Sequence, residues 1–410
     1  MAKLGRPTIE IDFKSKATSA ITRSGRGVGV LILNDSTVDA LTHYQITDST
    51  EIPSGIDDKS ITHIKNALLG IPAKLHVLLI PPSIKQVTTT KEVENDDGEI
   101  ETITEVSEVA ATVTQADALT KASTLKFNYI CHPTGSQQAQ SDLATWVKNQ
   151  RRVKQKTYKA VVSNVKANSY GIINFTTGDI KVVNPVWSDA LIEAEGVESA
   201  ISATIAKYLT YTAGEYTARI MGILLGLSLD RSVTYYELSE VESCSDYQDI
   251  DESINNGELC LIDEGDGHGV KIARGVNSLT TFTTDVGEDF RFIKIVEAID
   301  LIKDDIRDTF RDDYIGKVIN DYDHKMLFIA AILIYFEGLK GNVLDNSTTA
   351  VNKVEIDYEA NRDYAKLKGE DVSEMTNQQI LEYHTGTQVF LTGQITPVNA
   401  MEDLKITFYL

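Results

Sequence analysis

Alternating strand-like and helix-like segments constrain the fold of this chain most strongly. Residues 28–33 are continuously apolar, which is typical of a strand buried on both faces, and residues 74–80 repeat the pattern. Residues 136–151 have helical spacing and precede a further strand-like run at 157–163. This order predicts a mainly parallel sheet covered by helices, and therefore an α/β fold with mixed α+β parts.

Each end of the chain carries a lone segment with the period of a half-buried strand. Apolar residues alternate there with more polar ones: Ile9, Ile11 and Phe13 near the start, and Leu404, Ile406, Phe408 and Leu410 at the end. A strand with one apolar face must join a sheet edge, in its own domain or in a neighbouring subunit. An edge strand of its own domain is the simpler interpretation, but such a segment at both ends makes strand exchange between subunits a hypothesis to pursue.

The remaining segments follow from the same periodicities. Helices are predicted at 189–209, 212–227, 292–312, 323–339, 357–367 and 376–384, and strands at 127–131, 170–175, 232–238, 258–263, 270–274, 388–396 and 404–410. The longest apolar run, residues 326–336, is about half the length that a bilayer span needs. It therefore predicts a buried helix.

Residues 85–113 differ in composition from their surroundings. Two β-rich runs flank Asp97-Gly98, a dipeptide that favours a tight turn. Acidic residues dominate this segment, and its apolar pattern is too weak for a core of its own. The segment predicts an acidic β-hairpin that projects into solvent.

Length and charge limit the classes of function. A chain of 410 residues suggests two to four domains. Its net charge of −21 disfavours nucleic acid and anionic membranes as partners. The three cysteines, Cys131, Cys244 and Cys260, form no CxxC pattern. They indicate a reduced, cytoplasmic chain with neither a disulfide framework nor a zinc site.

The glycine-rich turn at residues 263–269 is the strongest candidate for enzyme chemistry. A phosphate loop should lie between a strand and a helix, but this turn lies between two strand-like runs. Asp263, Glu264 and Asp266 would also repel phosphate. A hairpin turn is the favoured interpretation. An α/β hydrolase or nucleotide-binding enzyme that uses this turn stays open as the alternative.

No other pattern indicates catalysis. The sequence contains no GxSxG elbow and no HExxH motif. Cys131 and His132 are adjacent on a predicted strand, so their side chains should point to opposite faces. We therefore predict no catalytic, cofactor-binding or metal-binding residues, and no cofactor.

The amphipathic helix at 292–312 has a charged side. Its i,i+3 and i,i+4 charge pairs are typical of a solvated face. A docking surface for another protein is the functional alternative. That candidate docking face comprises Lys303, Asp304, Arg307, Asp308 and Arg311, with Lys325 from the following helix.

Several sequence blocks, in order, resemble the tail sheath proteins of contractile-tailed phages, in the form found in phages and phage-like particles of Gram-positive bacteria. The blocks are residues 216–220, 230–232, 273–281, 294–307, 314–317, 320–323 and 400–404. The resemblance covers residues 125–410 and the N-terminal arm. No single block would suffice; their order and spacing make the resemblance specific.

The resemblance implies a structural subunit rather than an enzyme. Such subunits stack as hexameric rings around an inner tail tube, meet baseplate and tail terminator proteins, and contract to drive the tube through the host envelope. Terminal strands of neighbouring subunits complete a sheet in the α+β C-terminal domain. The central domain resembles a subtilisin-like α/β fold without protease chemistry. The implied location is the virion tail, after assembly in the host bacterial cytoplasm. The resemblance fits a phage and a bacteriocin-like particle equally.

The expected organisation combines these features. It comprises an N-terminal arm at 1–22, the first part of the α/β region at 23–84, the acidic hairpin insertion at 85–113, the subtilisin-like domain at 114–285, the C-terminal sheath domain at 286–398 and a C-terminal strand arm at 399–410. A full β-sandwich near the N-terminus, which many relatives carry, is not expected, because residues 34–125 are too short and too helical.

Overall fold

The structure, a computed structural model, describes residues 21, 25–94, 100–188, 206–265 and 267–409. Side chains are described outside residues 85–107. The predicted N-terminal arm strand and Leu410 lie outside the described residues. The chain divides into an α/β unit, Gly25–Glu297 with Asn399–Leu410, and a C-terminal unit built on Ala298–Val398.

The α/β unit contains most of the strands. These are β1 Val28–Asn34, β2 Thr42–Ile46, β3 Lys74–Ile80, β4 Ile84–Glu94, β5 Ile100–Ala110, β6 Tyr129–Cys131, β7 Lys159–Ser163, β8 Ile172–Phe175, β9 Ile180–Val183, β10 Tyr208–Tyr211, β11 Val241–Ser243, β12 Glu258–Leu259, β13 Leu261–Asp263 and β14 Val270–Ile272. The helices are α1 Asp58–Leu68, α2 Gln115–Ala122, α3 Gln137–Lys154, α4 Ala213–Gly226, α5 Ile250–Asn255 and α6 Ile293–Thr309, which continues past the unit boundary.

A central sheet organises this unit, in the order β12-β8-β7-β6-β1-β3-β2. Neighbouring strands are parallel except β2, which is antiparallel to β3 at the edge. Both faces are covered. Leu31 and Leu33 point into one core cluster with α1 and α4, while Val30 and Ile32 point into the other with α2 and α3. The predicted α/β sheet with covering helices is confirmed.

Helices α1 and α4 cross at very short range because glycines lie at the contact. A Cβ on Gly222 would lie 2.2 Å from the carbonyl oxygen of Ala67, and one on Gly70 would lie 2.0 Å from the Gly222 backbone. No side chain fits at such distances. Glycine at these two positions therefore sets how closely α4 approaches α1.

Smaller sheets complete the unit. Strands β10, β9 and β11 form an antiparallel sheet, and β13 pairs with β14 as a hairpin. The predicted hairpin within residues 85–113 is confirmed by the antiparallel pair β4–β5, with its tip, residues 95–99, outside the described part. The hairpin base is closed by the amide of Ala111, which donates to the Ser83 carbonyl over 3.0 Å.

The C-terminal unit is mainly helical. Its helices are the end of α6, then α7 Tyr322–Leu339, α8 Tyr358–Leu367 and α9 Asn377–Glu382, and its strands are β15 Lys353–Ile356 and β16 Leu391–Gln394. Strands β15 and β16 form a two-stranded antiparallel sheet. The predicted helices at 323–339, 357–367 and 376–384 are confirmed within one or two residues.

Several predictions were wrong. Residues 232–238 form no strand, because Tyr235 adopts φ +55° and turns the chain. The predicted helix at 189–209 was wrong at its end, because Tyr208 and Leu209 belong to strand β10. Residues 189–205 lie outside the described part. The run 258–263 is two strands that separate at Cys260, β12 joining the central sheet and β13 forming the hairpin. Residues 404–409 form no strand in the isolated chain, and their pairing with a neighbouring subunit stays a prediction.

Candidate assembly surfaces

The chain end exposes its apolar side chains. Leu404, Ile406 and Phe408 are 84%, 58% and 83% exposed, and residues 404–409 pair with no strand in the described part of the chain. Burial of side chains of this size contributes about 1.5–3 kcal/mol each. The segment therefore has the composition of a half-buried strand but no partner that would bury it.

The two residues that precede this segment, Glu402 and Asp403, are in contrast bound to other residues of the α/β unit. The carboxylate of Glu402 accepts hydrogen bonds from the hydroxyls of Ser232, at 2.9 Å, and Thr234, at 2.7 Å. The Nε of Arg274 donates to the other oxygen of Glu402 over 3.0 Å, and the same guanidinium pairs with Asp403. Only 8% of the Glu402 side chain is exposed.

The two-stranded sheet β15–β16 has edges that no other strand occupies among the described residues. Val354 and Ile356 share a face with Leu391, to which Ile356 is directly paired, and this is the more buried face. The backbone groups along each outer edge of a two-stranded sheet are available for pairing. This sheet can therefore accept further strands, with their apolar side chains on the Val354 and Ile356 face.

The charged face of α6 is only partly accessible. Asp304 and Lys325 are buried, each 4% exposed, so their side chains are not presented in the isolated chain. In contrast, Arg307 pairs with Asp304 and Arg311 pairs with Asp308 along the helix, and both arginines are substantially exposed. The prediction of a solvated face was wrong at Asp304 and Asp305, which are buried. Lys325 of the candidate docking face is buried as well, and the accessible remainder centres on Lys303, Arg307 and Arg311.

Helix α7 is not buried on all sides, contrary to the prediction. Phe328, Ile332 and Phe336 are buried, but Leu327 is 47% exposed and Ile334 is 68% exposed. An exposed stripe follows the helical repeat: Asp323, Leu327, Ala330, Ile334 and Glu337. The middle of this stripe is apolar. The "α7 stripe", defined as Leu327, Ala330 and Ile334, is thus a second apolar surface without cover in the isolated unit.

The turn at 263–269 has the predicted hairpin structure. Asp263 is paired with Val270, and no helix follows the turn. The Glu264 carboxylate accepts a hydrogen bond from the Tyr235 hydroxyl and pairs with Lys271. A phosphate loop needs amides at a helix N-terminus. The nucleotide-binding alternative is therefore wrong for this turn; Asp266 lies outside the described residues.

Cys131, the last residue of β6, and His132, which follows it, point to opposite sides of the central sheet, as predicted. Cys131 belongs to the core cluster of α1 and α4, and burial raises the pKa of its thiol. His132 contacts Gln115, Nδ1 to Oε1, over 2.9 Å, and burial lowers its pKa to about 4. The two groups form no dyad.

The described residues form neither a candidate metal site nor a helix that could span a membrane. Within the described ranges, no group of three or more His, Cys, Asp or Glu side chains is placed to hold a metal ion. In the same part of the chain, every helix is too short or too polar to cross a membrane.

Comparisons with known proteins identify the family. Residues 285–410 match the family model described as the phage tail sheath C-terminal domain. The tail sheath protein of Clostridium phage phiCD119 is 32% identical over 405 residues, which cover 98% of both chains. The chain belongs to the phage tail sheath protein family. It is accordingly a structural protein of a phage tail, and the predicted resemblance is confirmed.

Solved structures show the same fold for this sheath protein. A sheath tail protein from Desulfitobacterium hafniense aligns with a TM-score of 0.59 at 17% identity, over 85% of this chain and 93% of that one. A chain in the cryo-EM structure of the anti-feeding prophage baseplate aligns with a TM-score of 0.57 at 12% identity, over 100% and 99%. At these identities the likeness concerns the fold alone.

Sequence reasoning missed three features of the sheath protein. The sheet β15–β16 was missed because only β16 was predicted, within the strand at 388–396, whereas the four residues of β15 were assigned to no element. The α7 stripe was missed because the whole helix is apolar, so periodicity could not separate its exposed side. Glu402 was missed because it lies in an otherwise exposed run; the signal available was its place in the matching block at 400–404.

Proposed function

We propose that this sheath protein polymerises as stacked hexameric rings around an inner tail tube, and that strand exchange links its subunits. Two features of the chain support the proposal. One is the exposed end at 404–409 with its alternating apolar side chains, and the other is the two-stranded sheet β15–β16 with its open edges. Each feature lacks its complement among the described residues. A neighbouring copy of the chain supplies both complements at once.

The geometry defines how the arm would be accepted. Added to an edge of β15–β16, the segment places Leu404, Ile406 and Phe408 on the face of Val354 and Ile356. About five backbone hydrogen bonds, each contributing about 1 kcal/mol, would form with the edge strand. Together with the apolar burial, this is sufficient to hold two subunits while their bodies move. The N-terminal strand of Ile9, Ile11 and Phe13 would occupy the opposite edge.

Contraction then requires contacts that change while the arms stay paired. The mechanism is an extended lattice, metastable at assembly, that relaxes to a shorter and wider one without consuming nucleotide. The exposed charges Lys303 and Arg307 of α6, and Arg311 just after it, suit changing contacts because surface ion pairs contribute little each. The α7 stripe would face the inner tail tube. Released energy drives the tube through the host envelope.

The proposal also gives roles to the α/β unit, to the ends of the polymer and to the acidic hairpin. The α/β unit is a subtilisin-like domain without protease chemistry, so the chain acts mechanically and not as an enzyme. Baseplate and tail terminator proteins would meet the two ends of the polymer, which assembles in the host bacterial cytoplasm. The acidic hairpin β4–β5 would project from the outer surface.

Removal of residues 404–410 tests the exchange. The deletion leaves Glu402 and its contacts in place, so we expect the monomer to keep its melting temperature while sheath-like polymers disappear in negative-stain microscopy. The alternative, that the segment is a strand of its own domain, predicts a melting temperature lower by several degrees.

Single substitutions refine this test. Ile406→Ser changes the apolar side of the segment and should weaken polymerisation strongly. Thr407→Ser changes the opposite side by one methyl group and serves as the matched control. Normal polymers from the deletion protein would contradict strand exchange at the C-terminal end.

A further inference from the structure

Glu402 differs from every residue around it in the chain end. Met401 is fully exposed and Leu404 is 84% exposed, whereas 8% of the Glu402 side chain is accessible. The segment therefore has one inward-facing residue at its base, followed by an outward run. A carboxylate is buried at such a position only when donors compensate its lost hydration.

The donors come from two separate parts of the α/β unit. Ser232 and Thr234, from the loop after α4, donate to one carboxylate oxygen, and Arg274, just after β14, donates to the other. Hydrogen bonds to an ionised group are roughly twice as strong as those between neutral groups. Both oxygens of Glu402 are thus engaged, which fixes the rotation of the side chain as well as its position.

The receiving loop is itself held in place. The Gly275 amide donates to the Thr234 hydroxyl oxygen over 2.9 Å, and a Cβ on Gly275 would lie 2.8 Å from Val233. The Lys294 ammonium donates to the Asp230 carbonyl over 2.7 Å at the other end of the loop. The loop that receives Glu402 is therefore fixed to the rest of the α/β unit at both of its ends.

The geometry points to Glu402 as the anchor that positions the C-terminal arm. It holds the chain at one point of the α/β unit, so the strand that follows leaves in a defined direction. A strand that is presented in one direction loses less conformational freedom when it pairs. Under load, the same contact passes force from the arm into the α/β unit at Arg274. This inference rests on the proposed strand exchange.

Amide hydrogen exchange on the soluble protein tests the anchor directly. Glu402→Gln keeps the size of the side chain but removes its charge, and we expect residues 399–404 to exchange about tenfold faster. Ser232→Ala should act in the same direction from the receiving side. Lys405→Gln, which also removes one charge but at an exposed residue outside the Glu402 contacts, is the control and should change exchange less than about twofold.

The polymerisation threshold tests the functional part. Because Glu402 makes its contacts at the base of an exposed segment, the melting temperature of Glu402→Gln should match the wild type, while the protein concentration needed for polymers rises about fivefold or more. A merely structural role would lower the melting temperature together with polymerisation. Arg274→Gln combined with Glu402→Gln should cost less than the sum of the two single changes, because both disrupt the same Arg274–Glu402 contact.

The outcomes separate the anchor from the strand exchange beneath it. Polymers from the 404–410 deletion would overturn the exchange, whatever Glu402 does. If that deletion abolishes polymers but Glu402→Gln polymerises at the wild-type concentration, the exchange stands and the anchor is overturned. Unchanged amide exchange in Glu402→Gln would equally overturn the anchor.

Discussion

Strand β3 and the chain end at 404–409 have similar lengths and similar β-forming composition, yet opposite environments. β3 pairs with β1 on one side and β2 on the other, and Leu75 and Leu79 are fully buried. At the chain end, Phe408 is 83% exposed and unpaired in the described structure. β3 has helices of its own unit on both faces, whereas the chain end has none.

This difference separates two uses of the same local chemistry. Apolar side chains of β3 stabilise the folded monomer, because their burial is complete within one chain. Those of the chain end contribute nothing to the monomer and are available to a neighbour. Substitutions in the two regions should therefore appear in different measurements, monomer stability for one and polymerisation for the other.

The largest expected effect on the monomer is that of Gly222→Val. Its Cβ would lie 2.2 Å from the Ala67 carbonyl oxygen, so α4 must move away from α1 and from the central sheet. We expect a loss of more than about 3 kcal/mol in the free energy of unfolding, or no soluble protein. Urea denaturation followed by circular dichroism measures it.

Gly338→Ala is the matched control. This glycine also lies in a helix, but apart from its chain neighbours and its own helix backbone, no atom of the described residues lies within 4 Å of the place its Cβ would take. The substitution should be neutral or stabilise α7 by up to about 1 kcal/mol. Equal destabilisation by both substitutions would show that the close α1–α4 contact is not what makes Gly222 necessary.

A smaller effect is expected from acid. Burial lowers the pKa of His63 and of His132 to about 4 in the folded protein, below the unfolded value of 6.5. Above pH 6.5 both states are neutral and stability is complete. As the pH falls from 6.5 towards 4, the unfolded state binds more protons, so stability decreases by up to about 2 kcal/mol per histidine at pH 5.

Urea midpoints at pH 7.5, 6.0 and 5.0 measure this decrease. His132→Gln should flatten the pH dependence in part, because it removes one of the histidines whose pKa burial lowers, while the pKa values of His43 and His76 stay lowered as well. A midpoint that stays constant from pH 7.5 to 5.0 would contradict the burial of both rings. The segment 404–409 contains no histidine, so its exposure should not change over this range.

The smallest effect on the monomer is expected from Phe408→Ser. Because the Phe408 side chain is exposed, the substitution should change the free energy of unfolding by less than about 0.5 kcal/mol. Phe175→Ala, in a fully buried position of the central sheet, should cost about 3–5 kcal/mol by comparison. Light scattering of the same samples should show the reverse order, with polymerisation lost in Phe408→Ser while stability is retained. A clearly destabilised Phe408→Ser monomer would remove the contrast between β3 and the chain end.

Periodicity predicted the elements whose pattern is local. The apolar runs of β1 and β3 and the helical spacing of α3 and α4 all gave elements in the predicted places. Prediction failed where a single backbone conformation decides, as at Tyr235, whose φ of +55° ends an apparently strand-like run. It also failed for β2, a short edge strand that was not expected at all.

For the candidate surfaces, the sequence by itself determined the alternating face of Leu404, Ile406 and Phe408, because period and composition are local properties. Only the tertiary structure decided that this face has no cover in its own chain, that Asp304 and Lys325 are buried, and that Glu402 meets Arg274. Glu402 and Arg274 are far apart in sequence, and no pattern within either segment encodes their contact. Burial and pairing depend on which distant segments the fold brings together, so they follow from the packed chain and not from the order of its residues.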